Sequence, residues 1–512
     1  MYLTPLIFIL SGCSGDTSTG VESSAVAPTV AAHSNHYVTV DGSRTGDGTA
    51  TSPWALATAL AQPGIVQPGD TIWLHGGTYQ GEFTSDLSGT ASEPVILRQY
   101  PGERAVIDGR LTIRGRHAFY WGFEVTYSEP ERTTAIAGSD PTDLPREHMT
   151  IFVSGPFNKL INLIVHDMGD GVFAGSPAEG LEIYGSVFFN NGWVGPDRGH
   201  GHNIYLQNQN ATKYVTDNVL FNSFSSGLQI YGSDAAYLQN FNIEGNTIFN
   251  SGDPVASQYG LTFEIEQWGG AKGSLARSVY RYNNIFHRDG RDIVVRFNVP
   301  GSPAGEDVEF SHNVVHGSTN FNEMKRYVIT ANKFTSGTAV LSGQSVLIGL
   351  RIQSGLPYSA HKWDGNHYAV PALGTQDPFY VVKTSGVNFI FPTWQSTTGY
   401  DRASTFVNGQ FSLADVIVRP NRYEPGRAFI TCWNWGHANE LSVDPSSVLK
   451  SGDRYEIRHI FNILGAPLLT GVYTGEPINI PQQTLSPPAP VGFAQPAPMP
   501  DNGFNVFLLQ KR

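Results

Sequence analysis

A short phrase recurs through the middle of this 512-residue chain: a polar residue, three mostly apolar or aromatic residues, then Asn or His. It reads Asn162-Leu163-Ile164-Val165-His166, Ser186-Val187-Phe188-Phe189-Asn190, Asn218-Val219-Leu220-Phe221-Asn222 and Asn246-Thr247-Ile248-Phe249-Asn250. Weaker copies are Asn283-Asn284-Ile285-Phe286-His287 and His312-Asn313-Val314-Val315-His316. Successive copies begin 24, 32, 28, 37 and 29 residues apart. A period in that range, with variable insertions, marks a solenoid. The intervening residues are strand formers punctuated by Gly and Asn, so the expected unit is a coil of short parallel strands. One coil cannot bury its apolar face alone, and neighbours must stack.

A recurring Asn suits a tight turn, because its amide bonds nearby backbone and it tolerates the left-handed region. Stacked coil on coil, such residues can form a ladder. In these phrases the chain resembles right-handed parallel β-helix proteins of the pectate-lyase-like kind, from about Tyr37 to Ser404. Tyr37 to Ser43, Asp47-Gly48-Thr49, Pro68 to Leu74, Gly76-Gly77-Thr78-Tyr79 and Tyr100-Pro101-Gly102-Glu103 are similar to that family's amino-terminal cap. Trp394, then Thr398-Gly399-Tyr400-Asp401 with Ser404, resembles its last coil. The resemblance implies an all-β fold that carries lyases, hydrolases, isomerases and non-catalytic binders alike, so the reaction stays open.

Composition agrees: 56 Gly and 32 Pro with only 15% charged residues suit a turn-rich β protein. A net charge of −12 argues against nucleic acid as a partner, which needs a basic footprint. Residues 1–33 read as an export signal and tether. The apolar run ends in Leu10-Ser11-Gly12-Cys13, which resembles a bacterial lipobox, with Cys13 the lipidation site and a Ser/Thr/Gly/Ala-rich linker following. That predicts an exported protein, periplasmic or at the cell surface, held to the membrane by a lipid; an ordinary cleaved signal peptide is the alternative. The β-helix is expected over residues 34–404, with a capping helix at Trp54 to Leu60. The repeat then gives way, over residues 405–512, to strand runs spaced as in a β-sandwich. The Pro-rich stretch Pro487 to Pro500 reads as a long loop, and Cys432 as a buried small hydrophobe.

The resemblance implies that substrate lies along the first parallel sheet. Candidate strands there are Gly171 to Ser176, His202 to Asn208, Ser226 to Gly232, Tyr259 to Glu266 and Arg291 to Asn298. Side chains alternate along a strand. Val172, Ile204, Leu206, Leu228, Ile230, Leu261, Phe263, Ile293 and Val295 then point inward. Phe173, Tyr205, Gln207, Gln229, Tyr231, Thr262, Glu264, Val294 and Arg296 point outward, with Glu266 one step on. Aromatic rings stack on sugars and planar amides bond hydroxyls, so this face suits a polysaccharide or oligosaccharide. A purely structural sheet face is the competing reading.

His202, Glu264, Tyr231 and Arg296 are the candidate catalytic residues. His202 and Glu264 can move protons and Arg296 can clamp an anion; a Glu264–Arg296 ion pair is the bland alternative. Lys213 is a further candidate base. Tyr205, Gln207, Gln229, Glu266, His200, Arg198, Asp170 and His166 are candidate substrate-binding residues, and stacking could set Asp170 beside His202. Glu264 and Glu266 could give the carboxylate spacing of a glycosidase. The family's pectate lyases use acidic Ca²⁺ clusters with a basic residue. Ca²⁺ is therefore a possible cofactor, but no metal ligands can be matched here. The expectation is a polysaccharide lyase or glycoside hydrolase, or else a non-catalytic glycan-binding or surface-structural protein of the same fold.

Overall fold

A computed structural model describes residues 33–233, 236–259, 265–287, 293–335, 346–370, 377–483, 485–498 and 502–512. Cys13 and the stretch holding Leu261, Thr262, Phe263 and Glu264 lie outside the described residues.

Each turn of the chain visits three faces in order. Ile151–Val153 lies on the first sheet, Lys159–Ile161 on the second and Ile164–His166 on the third. The chain then returns to the first sheet at Val172–Ala174, in parallel register with the strand it left. Among the described residues, repetition builds three sheets of twelve strands, parallel except where Phe379–Val382 meets Gly386–Phe389, and so a parallel β-helix. Apolar residues at alternate positions line up inside: Val172 faces Ile204 and Leu228, and Ala174 faces Leu206 and Ile230, all fully buried. Such stacking satisfies the backbone of strands only three residues long, which would not persist alone.

The recurring Asn sits at the corner between the second and third sheets and forms the expected ladder. Asn246 Oδ1 accepts from both the backbone N and Nδ2 of Asn218, each at 3.0 Å. The pattern repeats through Asn283, Asn313, Asn332 and Asn366. It ends at Asp401, which accepts from Asn366 Nδ2 at 3.0 Å. The residue before each Asn of the ladder turns left-handed: Asp217, Gly245, Tyr282, His312, Ala331 and Gly365 have φ of 52–71°. Asn162 (φ 52°) and His312 occupy that preceding position themselves, so the first and last phrases are offset by one residue from the ladder. The six phrases nevertheless stack in one column of the third sheet.

Both ends are closed. The helix Leu56–Leu60, with Trp54 buried beside it, covers the first coil. The helix Phe391–Thr398 covers the last, where Trp394 Nε1 donates to Asp401 at 2.7 Å. Coils continue slightly past Ser404, because Thr405–Asn408 still pairs parallel with His367–Val370. Beyond that the chain turns antiparallel: Asp415–Pro420, Arg427–Trp433, Phe504–Lys511, Arg454–His459 and Leu469–Val472 form one sheet, with a two-stranded partner. This sandwich lies on the third sheet, where Phe221, Phe249 and Phe286 share one apolar cluster with Trp433, Phe461 and Phe504. Cys432 is fully buried in it.

One expected strand is displaced. Residues Asp253–Tyr259 are helical, so Tyr259 does not open a strand, and the described strand that pairs with Leu228–Ile230 is Gln267–Gly269. Glu266 is wholly buried, accepting the Ser251 N–H at 2.9 and 3.1 Å. At Ile293–Phe297 an irregularity between Ile293 and Val295 breaks the alternation: Val294 is buried, not outward, and Ile293 is only half-buried.

Candidate active groove

The corrected register puts one outward residue per coil in a single column: Phe152, Phe173, Tyr205, Gln229, Trp268 and Arg296. Neighbouring strands lie about 4.8 Å apart, so Phe152 and Trp268 bracket roughly 19 Å of floor. Above it opens a cleft of about 590 Å³, lined also by Arg110, Thr150, Asp170, His202 and Tyr231. Phe173 meets Tyr205 edge-on at 5.1 Å, and Tyr231 lies 4.8 Å from Trp268. A guanidinium rests on an aromatic ring towards each end of the column: Arg110 over Phe152 at 5.5 Å, and Arg296 over Trp268 at 5.2 Å. Both Nε–H groups are buried without a hydrogen-bond partner among the described residues.

Two insertions wall the cleft. One is the stretch 128–148, pinned by buried Arg146, whose Nε donates to the Glu131 carbonyl at 2.9 Å. It brings Ser139, Glu147 and His148 to the rim. The other is the turn from Asp197 to Asn203. There Arg198 bridges Asp197 and Ser139, each at 2.8 Å. His200 is bonded to Asp197 at 3.0 Å and stacked on Trp193. Burial depresses His200 against that bond.

Asp170 stands at the centre. Its Oδ1 accepts the His202 backbone N–H at 2.7 Å. Burial, reinforced by the negative charge of Glu147, outweighs that bond and pushes the carboxyl up to about 7. Burial, with the positive charge of Arg198 adding, drives His202 down to about 3. Its Nδ1 accepts the Ser226 N–H at 3.2 Å. The neutral ring therefore carries its proton on Nε2 and has no free lone pair, which makes it a donor and not a base. Burial and the nearby Asp170 raise Tyr205, so its hydroxyl stays protonated. Burial with the charge of Asp140 raises Glu147 despite His148.

Of the residues singled out in the sequence, His202, Tyr231, Tyr205, Gln229, His200, Arg198 and Asp170 line this one cleft, and Arg296 adjoins it on Trp268. Gln207 lies behind, its Nε2 donating to the Tyr231 carbonyl at 3.3 Å. Three residues sit elsewhere. His166 is on the third sheet, held between Asp167 at 2.7 Å and Glu124 at 3.1 Å, because the phrase it ends belongs to that sheet. Lys213 is on the second sheet, buried, donating to the carbonyls of Ala174, Gly175 and Gln207. Glu266 turns inward, as above. The register neighbour of Arg296 is Trp268, and the two make a cation–π contact; its expected partner Glu264 lies outside the described residues. Arg110, Phe152 and Trp268 were missed; the irregular coil lengths on either side hide their register.

At the rim Asp140, Glu147 and His148 bring a ligand atom each within 4.8 Å of one another. Two carboxylates and an imidazole supply too few oxygens for Ca²⁺, which takes about six to eight. The trio by itself is not a calcium cage.

Residues 36–253 match the family described as Pel9A-like, right handed beta helix region. This agrees with the coil order above, and the fold is a right-handed, pectate-lyase-like parallel β-helix. Trp268 and Arg296 lie beyond the matched stretch. The pectate lyase PEL9 of Emericella nidulans is 42% identical over 76 residues, which is 14% of this chain and 18% of that protein. The chain thus matches less than a fifth of this curated relative's length. The solved structure of pectate lyase Pel9A is similar over 61% of this chain and 78% of its own, at 14% identity and a TM-score of 0.44. The GH136 lacto-N-biosidase from Eubacterium ramulus is similar over 73% and 68%, at 12% identity and a TM-score of 0.40.

Proposed function

We propose that this protein is a polysaccharide lyase that cleaves a uronate-bearing glycan laid along the first sheet. The observation that carries the reading is the near-neutral carboxyl of Asp170 in mid-groove, beside an aromatic column with an incompletely bonded guanidinium at each end. The matched pectate lyase supports the substrate class. Sugar faces pack on Tyr205, Tyr231 and Trp268. Arg110 and Arg296 bind uronate carboxylates, and a cation-bound carboxylate makes the adjacent ring proton more acidic. Asp170, matched to neutral pH, takes that proton as general base. The electron pair forms the ring double bond as the glycosidic bond breaks, and the departing oxygen takes up the proton that Asp170 has just accepted. The neutral His202 Nε2–H serves as a fixed hydrogen-bond donor.

A hydrolase is the second reading, favoured by the presence of Glu147 as a second carboxylate at the rim. Incubation with polygalacturonate separates the two. A lyase yields new ultraviolet absorbance from an unsaturated uronide, and a hydrolase yields new reducing ends without it. Neither product, together with retention on the glycan, would leave a non-catalytic binder. We propose further that the chain is exported and tethered through Cys13; unchanged membrane fractionation of Cys13→Ser would refute the tether.

A further inference from the structure

The second sheet carries a separate feature at its amino-terminal coils. Trp73, Arg98 and Trp121 stand in register on three adjacent strands. Their neighbours Ile72, Leu74, Leu97 and Tyr120 are fully buried, so strand alternation turns these three outward. All three are partly exposed. The Arg98 guanidinium lies 4.0 Å from the Trp121 ring and 5.9 Å from the Trp73 ring. Tyr100 meets Trp73 edge-on at 5.9 Å, and Tyr423 of the sandwich meets Trp121 at 5.8 Å.

The surrounding ions are otherwise engaged. Glu103 is bonded to His75 and to the Gly76 N–H, Arg104 pairs with Glu124, and Lys159 pairs with Glu182. Glu424 acts on Arg98 through space, but its Oε2 accepts from Asn162 Nδ2. Arg98 itself has no hydrogen bond or ion pair among the described residues. An aromatic bracket holds a cation in place and leaves its fork of N–H donors to a ligand. The two indoles are two coils, about 10 Å, apart, close to the span of a disaccharide.

We propose that Trp73, Arg98 and Trp121 form a second glycan-binding site, distinct from the groove, that takes one carboxylate-bearing sugar of a polyuronate chain. The carboxylate pairs with Arg98, and the sugar's apolar face rests against the indole edges. Such a site would hold the protein on a polymer while the groove works on another stretch, so that two weak contacts act together. The choice of polyuronate rests on the function proposed above; the site's dependence on an anion does not.

The test is retention on polygalacturonate-coupled beads, with uncharged dextran beads as control. Four proteins are compared: the parent chain, the groove variant Tyr231→Ala with Trp268→Ala, Arg98→Gln and Trp121→Ala. The groove variant should still be retained. Arg98→Gln and Trp121→Ala should each weaken retention about tenfold or more, in line with loss of a charge-assisted contact. Arg98→Gln should keep the parent's turnover of soluble polygalacturonate. Should Trp121→Ala fail to fold, Arg98→Gln, a change at a partly exposed side chain, decides alone. Equal retention of Arg98→Gln and parent, or loss of all retention in the groove variant, overturns the proposal. Absence of cleavage with retention still dependent on Arg98 would remove the lyase reading and leave this site standing.

Discussion

Asp170→Asn should lower turnover while making the fold more stable. The amide keeps the size of the side chain and an oxygen for the His202 N–H, at 2.7 Å in the parent, but it cannot ionise. The parent carboxyl rises from 3.8 to about 7 on folding. Below about pH 4 it is protonated in both the folded and unfolded chains, and the shift contributes nothing. Between about 4 and 7 the unfolded chain has released a proton that the folded chain keeps, so stability falls as pH rises. Above about 7 the full penalty stands. About three units at 1.36 kcal/mol each give about 4 kcal/mol, and partial opening to the groove reduces this to about 2–4 kcal/mol. Urea denaturation followed by fluorescence should therefore show the variant gaining stability at pH 8 and almost none at pH 4. Turnover should fall about 10²- to 10⁴-fold, the usual contribution of a general base. In the parent, a base requires activity to rise with pH through about 7; an acid, as in a hydrolase, requires it to fall there. Equal stability of the two proteins at both pH values, with turnover within tenfold, would refute both the buried carboxyl and its role.

Asn283→Ala removes the Oδ1 that accepts from Asn246 N and Nδ2, and the Nδ2 that donates to the Ile243 carbonyl. Leaving those buried groups unpaired should cost about 3 kcal/mol or more, read as a lower denaturation midpoint with groove activity kept until unfolding. Glu266→Gln should behave as a stability variant, losing about 1–3 kcal/mol and leaving KM for glycan unchanged, because its carboxylate serves the Ser251 N–H. Burial would lower His166, but its bonds to Asp167 and Glu124 prevail and raise it to about 9. Its stabilisation is complete below about pH 6.5 and is lost as pH rises through about 9, roughly 3 kcal/mol in all. In His166→Phe the deficit against the parent should thus be largest near pH 6 and narrow towards pH 10 in denaturation scans.

The phrase period, the Gly and Asn at its corners and the alternation of apolar residues determine a stacked parallel coil from the sequence alone. They reach that far because every coil meets the same local constraint: an apolar residue inside, a left-handed corner, and an amide to bond the coil above. Tyr205, Gln229 and Tyr231 could be read onto one face for the same reason, since they alternate with the apolar residues of Ile204–Leu206 and Leu228–Ile230, and Asp170 and His202 stand two residues ahead of the strands that begin at Val172 and Ile204. Glu266, Val294 and Trp268 could not. Their coils carry a helix, Asp253–Tyr259, and an irregular strand, Ile293–Phe297, and period two sets a side chain's face only when the strand's start is known. His166 and Lys213 fall on the third and second sheets, away from the groove, because a residue's nearness in sequence to a site does not say which of three sheets it joins. Burial, which the tertiary structure alone decides, makes the greatest difference to the chemistry. Desolvation brings Asp170 to neutrality and discharges His202, and the cost of removing a charge from water depends on everything stacked around it.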